Sequence, residues 1–383
     1  MPPPLVPILT DESNDFAHET MSLRVPGIIR ETQQLNADYS PHIQAALDRL
    51  HDEVVADQPM GMIAAPAIDY AGWAASHAAR AGQTWLHTDW FFAEIFFYRR
   101  VMECVRYFET GRDPFAPKKA MEYAGDALWH TLDEALSTQA RPADERLRAL
   151  LAFAVWGNRI DLSHALAAAQ GARANNDEDM LVDDSAAVVD LLLRPPGEIH
   201  IICDNAGTEL AMDSALIDAL LAHGHQVMLH VKVHPYFVSD TIPADLHSFW
   251  RLLDARGGDF RALGARLVAA FERGALHIRP DFFWNSAQFL WAMPGYIEQA
   301  LARAALIMLK GDLNYRRAVG DTIWEPTLPF ASIVDYLPAP AVALRTMKSD
   351  PVIGLPSGMA ESLDPIDPLW RINGKRGLIQ ARL

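Results

Sequence analysis

Asp204 and Asn205 stand directly after the apolar run Ile199-His200-Ile201-Ile202-Cys203, and Asp240 follows a second apolar run, Gln226 to Val233, through His234-Pro235-Tyr236-Phe237-Val238-Ser239. Two carboxylates and an amide oxygen make a hard oxygen donor set, suited to Mg²⁺ or Mn²⁺ with water completing the shell. Lys310, Arg316, Arg345 and Lys348 bring positive charge and forked donors suited to a phosphate. A divalent metal beside a cationic clamp stabilises charge on a phosphoryl group in transfer, so the chemistry indicated is that of a metal-dependent phosphatase. The same residues also fit plainer roles. Asp204 and Asn205 can form an Asx turn that caps the next helix, Asp240 can be a turn residue before Thr241-Ile242-Pro243, and the run from Lys310 to Arg317 can be a solvated helix entry.

For these side chains to meet, the elements before them must end side by side. The punctuation Arg194-Pro195-Pro196-Gly197 separates two patterns. Before it the signal is helical, over 41–56, 66–81, 88–110, 116–138, 143–156 and 184–193, with Ser40-Pro41 a strong start; residues 1 to about 38 read as a wrapping arm. After it, strands near 198–203, 226–233, 275–279, 304–309 and 341–345 alternate with helices near 209–222, 245–256, 259–273 and 294–303. Such alternation implies a mainly parallel sheet with right-handed crossovers. The expected architecture is α/β: a helical N-terminal domain, 1–194, packed on a Rossmann-like α/β/α domain, 195–383. Ligands of such sheets sit beyond the carboxyl ends of the strands. Asp204 and Asn205, Asp240, Asp281 and Asn285, the run 310–317, and Arg345 with Lys348 all follow expected strands.

Composition narrows the function. Half the chain is apolar and 21% is charged, as in globular proteins, and the net charge of −16 argues against binding a phosphate backbone. No apolar run approaches a membrane span. Met1-Pro2-Pro3-Pro4-Leu5 lacks the basic start of a secretory signal, and Cys104 and Cys203 fit free thiols, so a cytoplasmic protein is expected.

The chain carries no Walker-type loop, no Gly-x-Gly-x-x-Gly after the first expected strand and no Gly-x-Ser-x-Gly elbow. His223, His225, His230 and His234 are close in sequence, but His230 lies within a strand pattern, which disfavours a histidine metal site. Glu94, inside the apolar helix from Trp85 to Tyr98, requires a partner, with Arg99 and Arg100 the nearest candidates. Trp156-Gly157-Asn158-Arg159-Ile160-Asp161 breaks a helix, either as a simple C-cap or to turn Asn158 and Asp161 toward the sheet edge.

Five ordered motifs resemble the domain-of-unknown-function 89 family, the damage-control phosphatases, also described as acidic-residue (protein-glutamate) methyltransferase-like proteins. They are Trp156 to Asp161, Asp204-Asn205-Ala206-Gly207-Thr208-Glu209, Pro235 to Asp240, Lys310-Gly311-Asp312-Leu313-Asn314-Tyr315-Arg316, and Arg345-Thr346-Met347-Lys348. The last looks like the subfamily acting on sugar phosphates, and Trp90 to Glu94 with Tyr98 to Arg100 fits the family's N-terminal half. Thr208 departs from the pattern, which more often has an aromatic residue there. The resemblance implies that Asp204, Asn205 and Asp240 bind the metal. It also implies that Asp312, Leu313, Asn314, Tyr315, Arg316 and Lys348 contact a phosphorylated substrate, with Asp204 and Asn205 beside it. Glu209 would lie next to the site, where the methyltransferase description assigns S-adenosylmethionine. Implied substrates are fructose 1-phosphate and related reactive hexose phosphates, and implied metals include Mn²⁺, Co²⁺ and Ni²⁺.

The function expected is therefore hydrolysis of small sugar phosphates, with Asp204, Asn205 and Asp240 as catalytic metal ligands. Lys310, Arg316 and Lys348 would neutralise charge, and the nucleophile is either a metal-associated water or the Asp204 carboxylate. A protein-glutamate carboxyl methyltransferase and a noncatalytic metabolite-binding protein are the competing readings. The partner is a small phosphorylated metabolite, not nucleic acid or membrane; the sequence leaves the oligomeric state open.

Overall fold

The computed structural model describes residues 5–157 and 179–383. The mainly parallel sheet is present, with strands β1 (Met180–Asp183), β2 (Glu198–Ile202), β3 (Gln226–Val231), β4 (Leu276–Pro280), β5 (Ala304–Lys310), β6 (Ala341–Thr346) and β7 (Gly377–Arg382). Their order is β1-β7-β6-β5-β2-β3-β4. β6 pairs antiparallel with β7, and the other described pairs are parallel. From β2 the chain steps to β3 and β4 on one side, then returns to place β5 on the other. The crevice of this doubly wound sheet thus opens where β2 and β5 end.

The apolar runs that announce β2 to β6 follow from burial on both faces. On one face Ile199, Ile201 and Leu229 pack with the helices Ala143–Trp156 and Thr208–Ala222. On the other, Ile202, Ile307 and Leu309 pack with Tyr315, Trp284 and Trp370. β1 and β7 were not expected: β1 is four residues long and precedes the proline punctuation, and β7 mixes Gln380 and Arg382 into its run.

The N-terminal arm is helical over 15–35. Asp15–Glu19 leads through a π-turn, Thr20–Arg24, into the helix Val25–Leu35. Pro26 sits in that helix's first turn, where a missing N–H is tolerated. Ser40 starts the helix Pro41–Val55 as expected, its hydroxyl accepting from Ile43 N at 3.4 Å. The stretch 66–81 shortens to Tyr70–Ala78, and 88–110 breaks at Arg106, whose φ is 55°. The stretch 116–138 breaks at Gly125 between Ala116–Ala124 and Asp126–Ser137.

The helix Trp90–Cys104 starts at Asp89, whose carboxylate accepts from Phe92 N at 3.0 Å, and centres an aromatic core that Tyr236 and Leu313 enter from the sheet side. A second tie is polar. Glu122 accepts from Thr208 N at 2.6 Å and the Tyr123 hydroxyl from Gly207 N at 3.0 Å, closing the buried N-terminal end of the helix Thr208–Ala222. Gly207 has φ 74°, and a Cβ there would lie 2.1 Å from Glu122 Oε2, so only glycine fits. Among the described residues no helix is long and apolar enough to cross a membrane. Cys104 and Cys203 are free thiols.

Candidate active site

β2 delivers Asp204 and Asn205 to its carboxyl tip, where they meet the segment leaving β3. Asn205 bridges to Asp240, Ala206 N donates to Ser239 O at 2.7 Å, and Thr241 N donates to Asp204 O at 2.7 Å. The turn that permits this has two consecutive non-glycine residues at positive φ, Phe237 at 45° and the β-branched Val238 at 66°. Such backbone is costly and persists when the surroundings enforce it. Here Phe237 stacks on Tyr98 with ring centroids 4.6 Å apart.

The side chains then interlock. Asn205 Nδ2 donates to Asp204 Oδ2 at 2.8 Å and Glu209 Oε2 at 2.9 Å, while Asn205 Oδ1 accepts the Ser239 hydroxyl at 2.7 Å. Lys310 Nζ lies 3.0 Å from Glu209 Oε1 and 3.0 Å from Asp213 Oδ1. Lys232 Nζ lies 2.9 Å from Asp240 Oδ2. Asp204 and Asn205 do not cap the following helix; its N-cap is Gly207, and the capping oxygen comes from Glu122.

Buried carboxylates outnumber buried cations here: Asp204, Glu209, Asp213 and Asp240 face Lys232 and Lys310. Burial, then Glu209 and Asp240, hold the Asp204 carboxyl well above its ordinary value. Burial also raises Asp240 against the pull of Lys232, and lifts Asp213 to about 7 against Lys310. Burial opposes the charge of Lys310, yet Asp213 and Glu209 carry it above its ordinary value. A divalent cation would relieve this imbalance, and the oxygens of Asp204, Asn205 and Asp240 suit one. The Asn205 oxygen retains a second lone pair beyond its bond from Ser239. Among the described residues no three His, Cys, Asp or Glu side chains are grouped to hold an ion, so the candidate set depends on the amide. His225 bonds to Leu192 O, His230 to His200 and His234 to Pro235 O, so these histidines do not converge.

A cleft of about 570 Å³ opens beside the cluster, lined by the arm, the helix Ala116–Ala124, the turn 237–239 and residues 372–374. Four cations line it, Arg24, Lys118, Lys119 and Lys348, and Ser239 connects it to Asn205. Lys118 pairs with Glu31 at 2.6 Å and Lys119 with Asp245 at 2.8 Å. Arg24 is exposed and makes no hydrogen bond or ion pair within the described residues. Of the cations anticipated from sequence, only Lys348 lines this cleft.

The others are turned inward. Arg316 pairs with Glu94 at 2.8 Å and Asp321 at 2.7 Å and lies 3.7 Å over the Trp90 ring. Arg316 is thus the partner Glu94 requires, a correction to the expectation of Arg99 or Arg100, which pair with Asp69 and Glu53. Arg345 Nε binds Asp312 Oδ1 at 2.7 Å, and the same oxygen accepts the Lys348 N–H at 3.1 Å. Asn314 Nδ2 donates to Cys203 O at 3.1 Å and Lys310 O at 2.8 Å. Tyr315 bonds Gln380 at 3.1 Å, and Leu313 joins the aromatic core. Asp281 caps a 3₁₀ turn, and Asn285 accepts from Val233 N at 2.7 Å. Asn158 and Asp161 lie outside the described residues.

Sequence reasoning missed Lys232, Lys119, Arg24 and Asp213. Lys232 had a readable signal, a lysine directly after an apolar strand; the others look like ordinary helix-surface charges.

Fold and site together define an α/β protein with a carboxylate-rich, lysine-supported site at the switch point of a mainly parallel sheet, facing a cationic cleft. Residues 20–363 match the model of the damage-control phosphatase ARMT1-like domain, and the chain belongs to that family. It is similar to damage-control phosphatase ARMT1 of Danio rerio, 29% identical over 378 residues, covering 87% of this chain and 84% of the relative. The Homo sapiens protein of the same name is 27% identical over 384 residues, covering 87% and 85%. A solved structure of a DUF89 family protein from Pyrococcus horikoshii shares the fold, with a TM-score of 0.53, 12% identity, and coverage of 96% of this chain and 98% of that one.

Proposed function

We propose that this protein is a metal-dependent phosphomonoesterase acting on small, reactive or damaged sugar phosphates such as fructose 1-phosphate. The observation that carries the reading is the convergence of Asp204, Asn205 and Asp240 beside a cleft lined by four cations. Family membership supports phosphatase chemistry. The Arg345-Thr346-Met347-Lys348 element supports the sugar-phosphate subfamily.

Asp204, Asn205 and Asp240 would hold the divalent ion, Mn²⁺, Co²⁺, Ni²⁺ or Mg²⁺, which when bound supplies Lewis-acid polarisation of the phosphoryl group. Ser239 orients the Asn205 amide, Lys232 pairs with Asp240, and Lys310 pairs with Glu209 and Asp213. Arg24 and Lys348, which both line the cleft, receive the phosphate. Arg345 acts through Asp312, which fixes the backbone at Lys348, and so positions rather than touches substrate. The attacking oxygen belongs to a water or to Asp204.

The test is phosphate release from a panel of sugar phosphates with each metal and with chelator. Metal-dependent release establishes the reading. No release from metal-loaded protein, with methyl transfer from S-adenosylmethionine to a glutamate side chain, would replace it with the methyltransferase reading.

A further inference from the structure

On β2 and β3, Ile199, Ile201, Val227 and Leu229 pack toward the helix Thr208–Ala222. Their neighbours His200, Met228 and His277, side by side in register, face the opposite way. They line a cavity of about 590 Å³ with Trp284 and Tyr296 among its walls. A parallel sheet is ordinarily covered by apolar packing on both faces. Here the floor is polar.

The floor is a hydrogen-bonded chain. Glu198 Oε2 lies 3.2 Å from His200 Nε2, and His200 Nδ1 lies 2.9 Å from His230 Nε2. The histidines are 2% and 6% exposed. Burial depresses His200, with Glu198 opposing, and lowers His230 to about 3, so both rings are neutral at pH 7. A carboxylate only accepts, so His200 carries its proton on Nε2 and accepts at Nδ1 from His230 Nε2–H. His230 Nδ1 is left with a bare lone pair and no donor within the described residues. The two rings meet nitrogen to nitrogen, an arrangement that offers no convergent pair of lone pairs to a cation.

Positive charge is added by two other lining residues. The Arg279 side chain makes no ion pair or hydrogen bond within the described residues. Arg303, 65% exposed at its side chain, has its nearest carboxylate, Glu198, at 3.7 Å. An apolar partner laid over this face would bury the His230 acceptor and Arg279 without partners, at a cost.

We infer that this cavity is a second binding site, separate from the carboxylate cluster, for a small anion carrying a hydroxyl. The hydroxyl donates to His230 Nδ1, and the anionic group is held by Arg279 and Arg303. Inorganic phosphate, sugar phosphates and hydroxy acids share this chemistry.

The test titrates inorganic phosphate into full-length, chelator-treated protein with ¹⁵N-labelled histidine rings, His230 being assigned with His230→Leu. The expected result is a saturable shift of His230 Nδ1. The affinity should fall at least about tenfold in Arg279→Ala/Arg303→Ala, from loss of charge-assisted hydrogen bonds. Asp204→Ala should leave the shift intact. Glycerate should reproduce it and acetate, which lacks a donor hydroxyl, should not. The absence of a shift, its persistence in the double arginine variant, its loss in Asp204→Ala, or an equal response to acetate would each overturn the inference.

Discussion

The Asp204 carboxylate rests against the backbone of Gly311, so closely that a Cβ on that glycine would lie 1.9 Å from Asp204 Oδ2. The two residues follow β2 and β5, the strands that flank the switch point, and Gly311 has φ 77°. Gly311→Ala is expected to cost roughly 1–2 kcal/mol in backbone strain alone and to push Asp204 out of place. Urea unfolding and phosphate release measured on one sample should both fall; unchanged activity would show that the contact does not set the position of Asp204.

Removal of the carboxylate itself separates stability from catalysis. Asp204→Asn takes a buried charge out of a carboxylate-rich cluster, so the metal-free variant should melt at or above the temperature of the metal-free wild type. It should lose metal-induced stabilisation and at least about 100-fold in phosphate release, as expected when an electrostatic contribution of several kcal/mol is lost. Thermal melts with and without Mn²⁺ test this beside the activity assay.

Lys232 and Asp240 form a buried pair at the end of β3. Lys232→Met leaves the aspartate without its counter-charge, which typically costs about 3–5 kcal/mol. Denaturant unfolding should show this loss, and Mn²⁺ should restore part of it if Asp240 is a ligand. A loss below about 1 kcal/mol would mean that Asp240 is balanced by Lys119 instead.

The pH dependence that Asp213 gives the metal-free protein has a defined sign. The folded Asp213 titrates at about 7 against an ordinary 3.8, so its contribution to stability is full below about pH 4 and is lost as pH rises through 7. Asp312 is shifted downward, by Arg345 and Arg316 against the burial that opposes them, and acts on the acid side of that window. The Asp213 share of stability should therefore decline from about pH 4 to 7, against the opposite contribution of His230 and His234, whose lowered values make stability rise with pH toward 6.5, and Asp213→Asn should remove that declining share in unfolding titrations.

Arg24 contributes a charge to the cleft from the arm. Arg24→Ala should raise KM for a sugar phosphate about tenfold, the worth of a charge-assisted hydrogen bond, with kcat nearly unchanged. Arg24→Lys should recover part of the loss. Equal falls in kcat and kcat/KM would place Arg24 at the reacting centre instead.

What could be read from the sequence followed from local physics. β2 to β6 were legible because strands covered on both faces are written as apolar runs, and Asp204, Asn205 and Asp240 because strand tips are where a parallel sheet presents polar groups. The helix Val25–Leu35 was obscured by Pro26 and Gly27. The run 312–316 was visible as a motif, yet its inward orientation was not, because the partners Glu94 and Gln380 come from distant segments. Arg24 and Lys119 carry no local mark at all; only tertiary folding turns a surface-like charge toward a cleft.

The tie between Glu122 and Thr208 also bears on the order in which the molecule can mature. Its two groups are 86 residues apart, so closing it requires a large loop to form first. Until then the helix behind Asp204 and Asn205 ends in unmet N–H groups, however early its own turns have wound. The candidate site is accordingly complete only when the two ends of a long detour have found each other.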